Sequence, residues 1–182
     1  SLVQRLVSGG DCVSCLVRQT SHIELLKKAG ANIIYGDITE VNTISNALTD
    51  KEIVYHLAGV TKVLDSSDYY SVNYEGTKNL FQAASNKPEK IKKIVMVSSL
   101  AATGPSPIKM PIDETYPSNP VSHYGKSKHK AELVALDYCD RLPITIIRPP
   151  IVYGPHDTDV FLFFKIVNSN ILPLFKSKEK YY

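Results

Sequence analysis

Short apolar runs alternate with helix-periodic stretches along most of the chain, and few folds accept that alternation. Residues 13–17, 32–35, 52–57, 92–97 and 144–147 read as buried strands. Residues 1–7, 23–29, 41–48, 68–86 and 122–140 read as helices between them. A strand followed by a helix and another strand implies a crossover connection, and repeated crossovers give a parallel sheet covered by helices on both faces. The expected class is therefore α/β with a doubly wound parallel sheet, whose ligands bind at the carboxyl ends of the strands. Arg18, Asp37, Gly59, Ser99 and Pro149-Pro150 each follow a strand and fall at that edge.

The stretch from Ile91 to Lys128 carries the clearest chemistry. A strand ends in Ser98-Ser99, a Gly/Pro-rich loop follows, and His123-Tyr124-Gly125-Lys126-Ser127-Lys128 opens a helix. A phenol is a suitable acid/base for moving a proton to or from a C–OH/C=O centre while a hydride moves at carbon, provided its pKa is brought down from ~10. A Lys ammonium one helical turn away favours the phenolate, and the spacing of Tyr124 and Lys128 puts both on one face. A Ser hydroxyl at the strand end, Ser99, can hold the substrate oxygen from the other side. Tyr-x-x-x-Lys alone is weak, since a chain this rich in Tyr and Lys gives roughly one match by chance. Tyr74 and Lys78 supply that control: they have the same spacing but no strand-end Ser-Ser upstream, and read as a solvated or packing pair.

Composition narrows the classes. The 182 residues, 43% hydrophobic and 21% charged, suffice for one domain with a core. A net charge of +3, with lysines scattered rather than clustered, gives no argument for nucleic acid. No run approaches a membrane span and no signal peptide opens the chain. An odd cysteine count of 3 suggests reduced thiols and a cytoplasmic setting. Cys12-x-x-Cys15 lies in a strand-like run that would send the two thiols to opposite faces, and the histidines lack ligand spacing, so no catalytic metal is expected.

A doubly wound dinucleotide fold opens with a strand, a Gly-rich turn and a helix whose N-terminus receives the pyrophosphate. No Gly-x-Gly-x-x-Gly or Gly-x-x-Gly-x-x-Gly occurs here, and the chain opens on a helix-like segment. In the strand order 3-2-1-4-5-6 the missing strand is central, so its absence would split the sheet in two. Either residues upstream of Ser1 or another segment is expected to fill that position. Residues 1–155 then form the nucleotide-binding domain without its first strand, and 156–182 the start of a shortened C-terminal substrate region.

As an ordered set these residues resemble the extended branch of the short-chain dehydrogenase/reductase family, the NAD(P)-dependent epimerase/dehydratase group, which has a Rossmann-like fold. Gly36-Asp37-Ile38 is similar to the adenine-side turn, His56-Leu57-Ala58-Gly59 to the strand end packed on the adenosine side, and Asn73 in Val72-Asn73-Tyr74-Glu75-Gly76-Thr77 to the residue that steadies the active site. Val97-Ser98-Ser99 resembles the catalytic Ser strand, Tyr124 and Lys128 the acid/base pair, and the segment from Arg148 to Pro155 the one beside the nicotinamide. The resemblance implies Ser99, Tyr124, Lys128 and Asn73 as catalytic, and Asp37, Ile38, Leu57, Ala58, Gly59, Val97, Ser98, Tyr124, Lys128, Pro149 and Ile151 as cofactor-binding. It also implies that Lys128 holds the nicotinamide ribose. Sugar-nucleotide epimerases of the group carry Asn where this chain has Ile151, which points away from a nucleotide sugar. The loop residues 98–105 and 113–115 look more like the dihydroflavonol-reductase and 3β-hydroxysteroid-dehydrogenase side. Val17 cannot bind a ribose 2′-hydroxyl, whereas Arg18 can pair with a 2′-phosphate, so NADP is expected, with NAD as the alternative. Relatives dimerise through the two long helices, and Tyr69, Phe81, Leu133 and Leu136 are candidates for that seam. A small-molecule substrate is expected, with epimerase/dehydratase activity or non-catalytic dinucleotide binding as competing readings.

Overall fold

The computed structural model describes residues 1–86, 88–106, 111–155, 157 and 159–169. Much of the segment read as the start of a C-terminal region, including the lysine-rich tail from Lys176, lies outside them, as does Lys87. The elements run α1 (Leu2–Ser8), β1 (Ser14–Val17), α2 (Glu24–Lys28), β2 (Asn32–Tyr35), α3 (Val41–Ala47) and β3 (Ile53–His56). They continue with α4 (Ser67–Tyr69), a π-turn (Tyr70–Glu75), α5 (Gly76–Ala84), β4 (Lys93–Val97), α6 (His123–Tyr138), β5 (Ile144–Ile147) and α7 (Asp159–Asn168). Single 3₁₀ turns occupy Pro88–Lys90 and Leu100–Ala102.

All strand pairs are parallel, and they form two separate sheets, β1-β2 and β3-β4-β5. This is the division expected of a doubly wound sheet without its central first strand. Among the described residues no strand joins β1 to β3. Register brings Val17 opposite Tyr35, His56 opposite Met96 and Val97 opposite Ile147, so the carboxyl ends line up within each sheet. The ladder runs past β4 and β5: Ser98 N–H donates to Ile147 O at 2.8 Å and Leu100 N–H to Pro149 O at 3.1 Å.

Two apolar clusters hold the helices down. Phe81 and Ala84 of α5, Ala131, Val134 and Ala135 of α6, and Ile94 and Met96 of β4 form one; Ile38, Ile44, Leu80 and Ala83 form the other. Alternation explains the strand contribution, because Ile94 and Met96 share one pleat face. Helix α6 starts where Ser122 Oγ accepts from Gly125 N–H at 3.0 Å, and its buried stripe of Ser127, Lys128, Ala131, Glu132 and Ala135 has helical spacing.

Three expectations are corrected. The long helix read over 68–86 is not uniformly α-helical, since a π-turn interrupts it. Phe81 is fully buried and stacks on Tyr138, so it belongs to the core and not to an outer seam. Cys12 precedes β1, which begins at Ser14, so the two thiols do not share one strand.

Candidate active site

The carboxyl edge of β3-β4-β5 collects most of the singled-out residues. Lys128 is buried on α6 and donates from Nζ to Val97 O at 2.8 Å, which fastens one turn of α6 to the end of β4 just before Ser98-Ser99. Ser99 is extended and caps the 3₁₀ turn, its Oγ accepting from Ala101 N–H at 3.2 Å. Gly125 lets α6 lie against that turn: a Cβ there would stand 2.3 Å from Ala101 O. Tyr124, half-buried in the first turn of α6, has its ring 5.9 Å from that of Tyr69. Ser99, Tyr124 and Lys128 thus rest on two mutually fastened elements.

Asn73 is the hub beneath them. Fully buried in the π-turn, it accepts from Val60 N–H at 2.8 Å through Oδ1, and donates from Nδ2 to Val60 O at 3.1 Å and Ser127 Oγ at 3.0 Å. Ser127 Oγ donates onward to Tyr124 O at 2.7 Å. Both Nδ2 donors are therefore committed to the protein, and Asn73 clamps the loop after β3 to α6. At the π-turn, Thr77 Oγ1 donates to Asn73 O at 2.6 Å, and His56 Nε2 lies 2.8 Å from the same hydroxyl. With the hydroxyl proton spent on Asn73, His56 must donate from Nε2.

Burial first, and the Lys128 charge second, push the His56 pKa down to about 3, so the ring is neutral. An unfolded His titrates near ~6.5, so as pH falls the unfolded chain takes up its proton first. Stability from the neutral ring is complete above that value and is lost as pH drops toward the folded one. Urea unfolding over a pH series is expected to show His56→Gln less stable than the parent at neutral pH, with the gap closing in acid by on the order of a few kcal/mol. A gap independent of pH would contradict a neutral buried ring.

Burial also pushes the Lys128 pKa down, partly offset by Glu132. Glu132 follows Lys128 by one turn and binds Arg148 at two points, Nε to Oε1 at 3.0 Å and an Nη to Oε2 at 2.7 Å. Glu132 was not singled out in the sequence, and Thr77, Ser127 and Gly125 stood there only as members of the motifs around Asn73 and Tyr124. The spacing of Tyr124, Lys128 and Glu132 was the available signal for the first.

At the other sheet, Arg18 is exposed after β1 and Asp37 follows β2. Thr39 donates twice to Asp37 Oδ1, from N–H at 2.9 Å and Oγ1 at 2.8 Å. The Thr39 backbone bond chiefly, and Arg18 to a smaller degree, hold the Asp37 carboxyl below its ordinary range. Ile38 turns into the core against Gly76, while Leu57, Ala58, Gly59 and Ile151 are exposed and Pro149 is half-buried. Ser98 is buried. Tyr74 packs on the core and Lys78 pairs with Glu75 at the surface at 3.6 Å, as a solvated or packing pair would.

A family model described as NAD dependent epimerase/dehydratase matches residues 1–172. The chain belongs to that family. An undecaprenol-linked relative, N-acetyl-alpha-D-glucosaminyl-diphospho-ditrans,octacis-undecaprenol 4-epimerase of Escherichia coli O157:H7, is 35% identical over 65% of this chain and 37% of its own length. The 2-alkyl-3-oxoalkanoate reductase of Shewanella oneidensis is 28% identical over 86% of this chain and 42% of its own. The crystal structure of UDP-glucuronic acid 4-epimerase from Bacillus cereus in complex with NAD superposes with a TM-score of 0.79 at 24% identity, covering 93% of this chain and 60% of that one, which shows a shared fold. The chain spans half or less of the length of the first curated relatives it matches. Epimerase/dehydratase relatives thus include both epimerases and reductases, and among the described residues no helix is long and apolar enough to cross a membrane.

Proposed function

We propose that this epimerase/dehydratase family member is an NAD(P)-dependent oxidoreductase acting on a ketone or secondary alcohol. The observation that carries the reading is the placement of Lys128 on the Val97 carbonyl, one turn along α6 from Tyr124 and beside Ser98-Ser99. A bound nicotinamide would supply the hydride to the ketone, or in its oxidised form accept it from the alcohol. Tyr124 gives its phenolic proton to the carbonyl oxygen, or takes one from the alcohol; Lys128 supports the phenolate by charge; Ser99 holds the substrate oxygen. Asn73 acts by position, since its amide is engaged by Val60 and Ser127.

The residues fit the two ends of a dinucleotide. Asp37, Leu57, Ala58 and Gly59 present an adenosine-side edge, and Val97, Lys128, Pro149 and Ile151 a nicotinamide-side edge. A Gly-rich strand-turn-helix for the pyrophosphate is absent from the described residues. Residues 1–155 act as the cofactor domain and 156–182 contribute to the substrate region. Arg18 favours NADP over NAD. Its replacement by Ala is expected to weaken NADPH binding roughly ten- to a hundred-fold and leave NADH unchanged, read by nicotinamide fluorescence. Equal effects on both cofactors would remove Arg18 from the 2′-phosphate site, and no saturable binding of either would sink the functional reading.

A nucleotide-sugar 4-epimerase is the second reading, favoured by the likeness to the UDP-glucose 4-epimerase of Vibrio cholerae, 33% identical over 85% of this chain and 48% of its own length. Ile151, 79% exposed in the segment after β5, weighs against it, because it offers no hydrogen bond to a sugar hydroxyl. Oxidation of NADPH by a simple ketone, without epimerisation of a nucleotide sugar, separates the two. Leu133 and Leu136 lie exposed on α6 and support a homodimer through the long helices of a cytoplasmic enzyme.

A further inference from the structure

We propose that Glu132 is a positioning residue of the catalytic helix, which grips the segment after β5 through Arg148 and sets the charge environment of Lys128. Its catalytic meaning rests on the reading of Tyr124 and Lys128 given above.

Tyr124, Lys128 and Glu132 follow one another at four-residue steps, so they share a face of α6. Glu132 is 2% exposed. A carboxylate that buried must be paired, and the fork of Arg148 meets both its oxygens. Arg148 opens the Pro149-Pro150-Ile151 segment, and Pro149 O accepts from Leu100 N–H directly after Ser99. One carboxylate on the Tyr124 helix therefore holds a segment that on its other side is bonded to the Ser99 turn.

The charges around the cluster single out Glu132 as the anion that supports the Lys128 ammonium against burial. From β3, the neutral His56 faces Lys128. His129 Nδ1 lies 4.0 Å from Glu132 Oε2, and Glu114 in the loop before α6 acts on Arg148. Glu75 and Lys78, on the π-turn and α5, pair with each other at the surface. An ordinary buried ion pair would lock two elements together and no more. Here removal of either partner also changes the net charge beside Lys128, and in opposite directions.

That opposition gives the test. The Lys128 Nζ titration is followed by NMR on protein with isotope-labelled lysine, the signal being assigned by its loss in Lys128→Met. Glu132→Gln is expected to lower the Lys128 midpoint by at least about half a pH unit, and Arg148→Met, which leaves Glu132 charged, to hold it at the parent's value or raise it. Both variants break the same pair, so a merely mechanical clasp would move the midpoint the same way in each, or in neither, and either result overturns the proposal. Should single charge deletions fail to fold, Arg148→Lys keeps both charges while losing the two-point fork. It is expected to keep the parent midpoint, and a displaced midpoint overturns the proposal. The titration needs neither cofactor nor substrate. A parent protein that transfers no hydride would therefore count against the proposed function and not against this arrangement of charges.

Discussion

Replacing Tyr124 by Phe is expected to lower turnover by roughly 10²- to 10⁴-fold while leaving cofactor affinity and the thermal midpoint close to the parent's. The substitution deletes one hydroxyl and keeps the ring, so the packing against Tyr69 survives. If the phenol delivers its proton in the transition state, kcat and kcat/KM fall together, because the lost interaction is absent from the ground state. Single-turnover oxidation of bound NADPH at a series of substrate concentrations reads both. A Phe variant whose kcat matched the parent's would remove Tyr124 from the chemistry. A variant with higher KM and unchanged kcat would make the hydroxyl a binding group instead.

The second large effect concerns shape rather than chemistry. Gly125→Val is expected to lower the thermal midpoint by on the order of 5–10 °C and to cost most of the activity of whatever folds. The first added carbon would already meet Ala101 O at 2.3 Å, Ala101 C at 3.0 Å and the Pro120 ring at 3.2 Å. Two of those atoms are backbone and cannot rotate aside, so the start of α6 must lift off the turn that follows Ser99. Lys126→Ala, at the exposed neighbouring position, serves as the control and is expected to be nearly neutral. Equal melting of Gly125→Val and the parent, measured by calorimetry, would mean that the helix and the turn are not held in this contact.

The order of strands and helices was legible because each strand is a compact apolar run, and boundaries moved by only a residue or two, as fraying ends do. The two-piece sheet was legible too, from the missing Gly-rich opening and the strand order. The π-turn was not; at it the Thr77 hydroxyl reaches back to Asn73 O and meets His56 from a distant strand. Nothing in a period-3.6 pattern reports that. Phe81 was misplaced because an apolar residue on a helix states that it needs cover without stating which neighbour provides it. Glu132 was passed over for the converse reason: an acid one turn after a lysine reads as a solvated pair, and its Arg148 partner lies on another element. Asn73, Tyr124, Lys128 and Ser99 were singled out by motif, and the hydrogen bonds show how the fold draws their elements together.

The interruption at Tyr70–Glu75 also fixes a helical phase. Each residue of an α-helix turns the next by about 100°, so the additional residue taken up by a π-turn displaces everything before it around the axis relative to everything after it. Tyr69 meets the Tyr124 ring on one side of that offset, and Leu80 and Phe81 enter the apolar clusters on the other. A regular helix of the same sequence could satisfy one of these faces or the other. The irregularity at Asn73 lets a single stretch of chain serve both the site and the core.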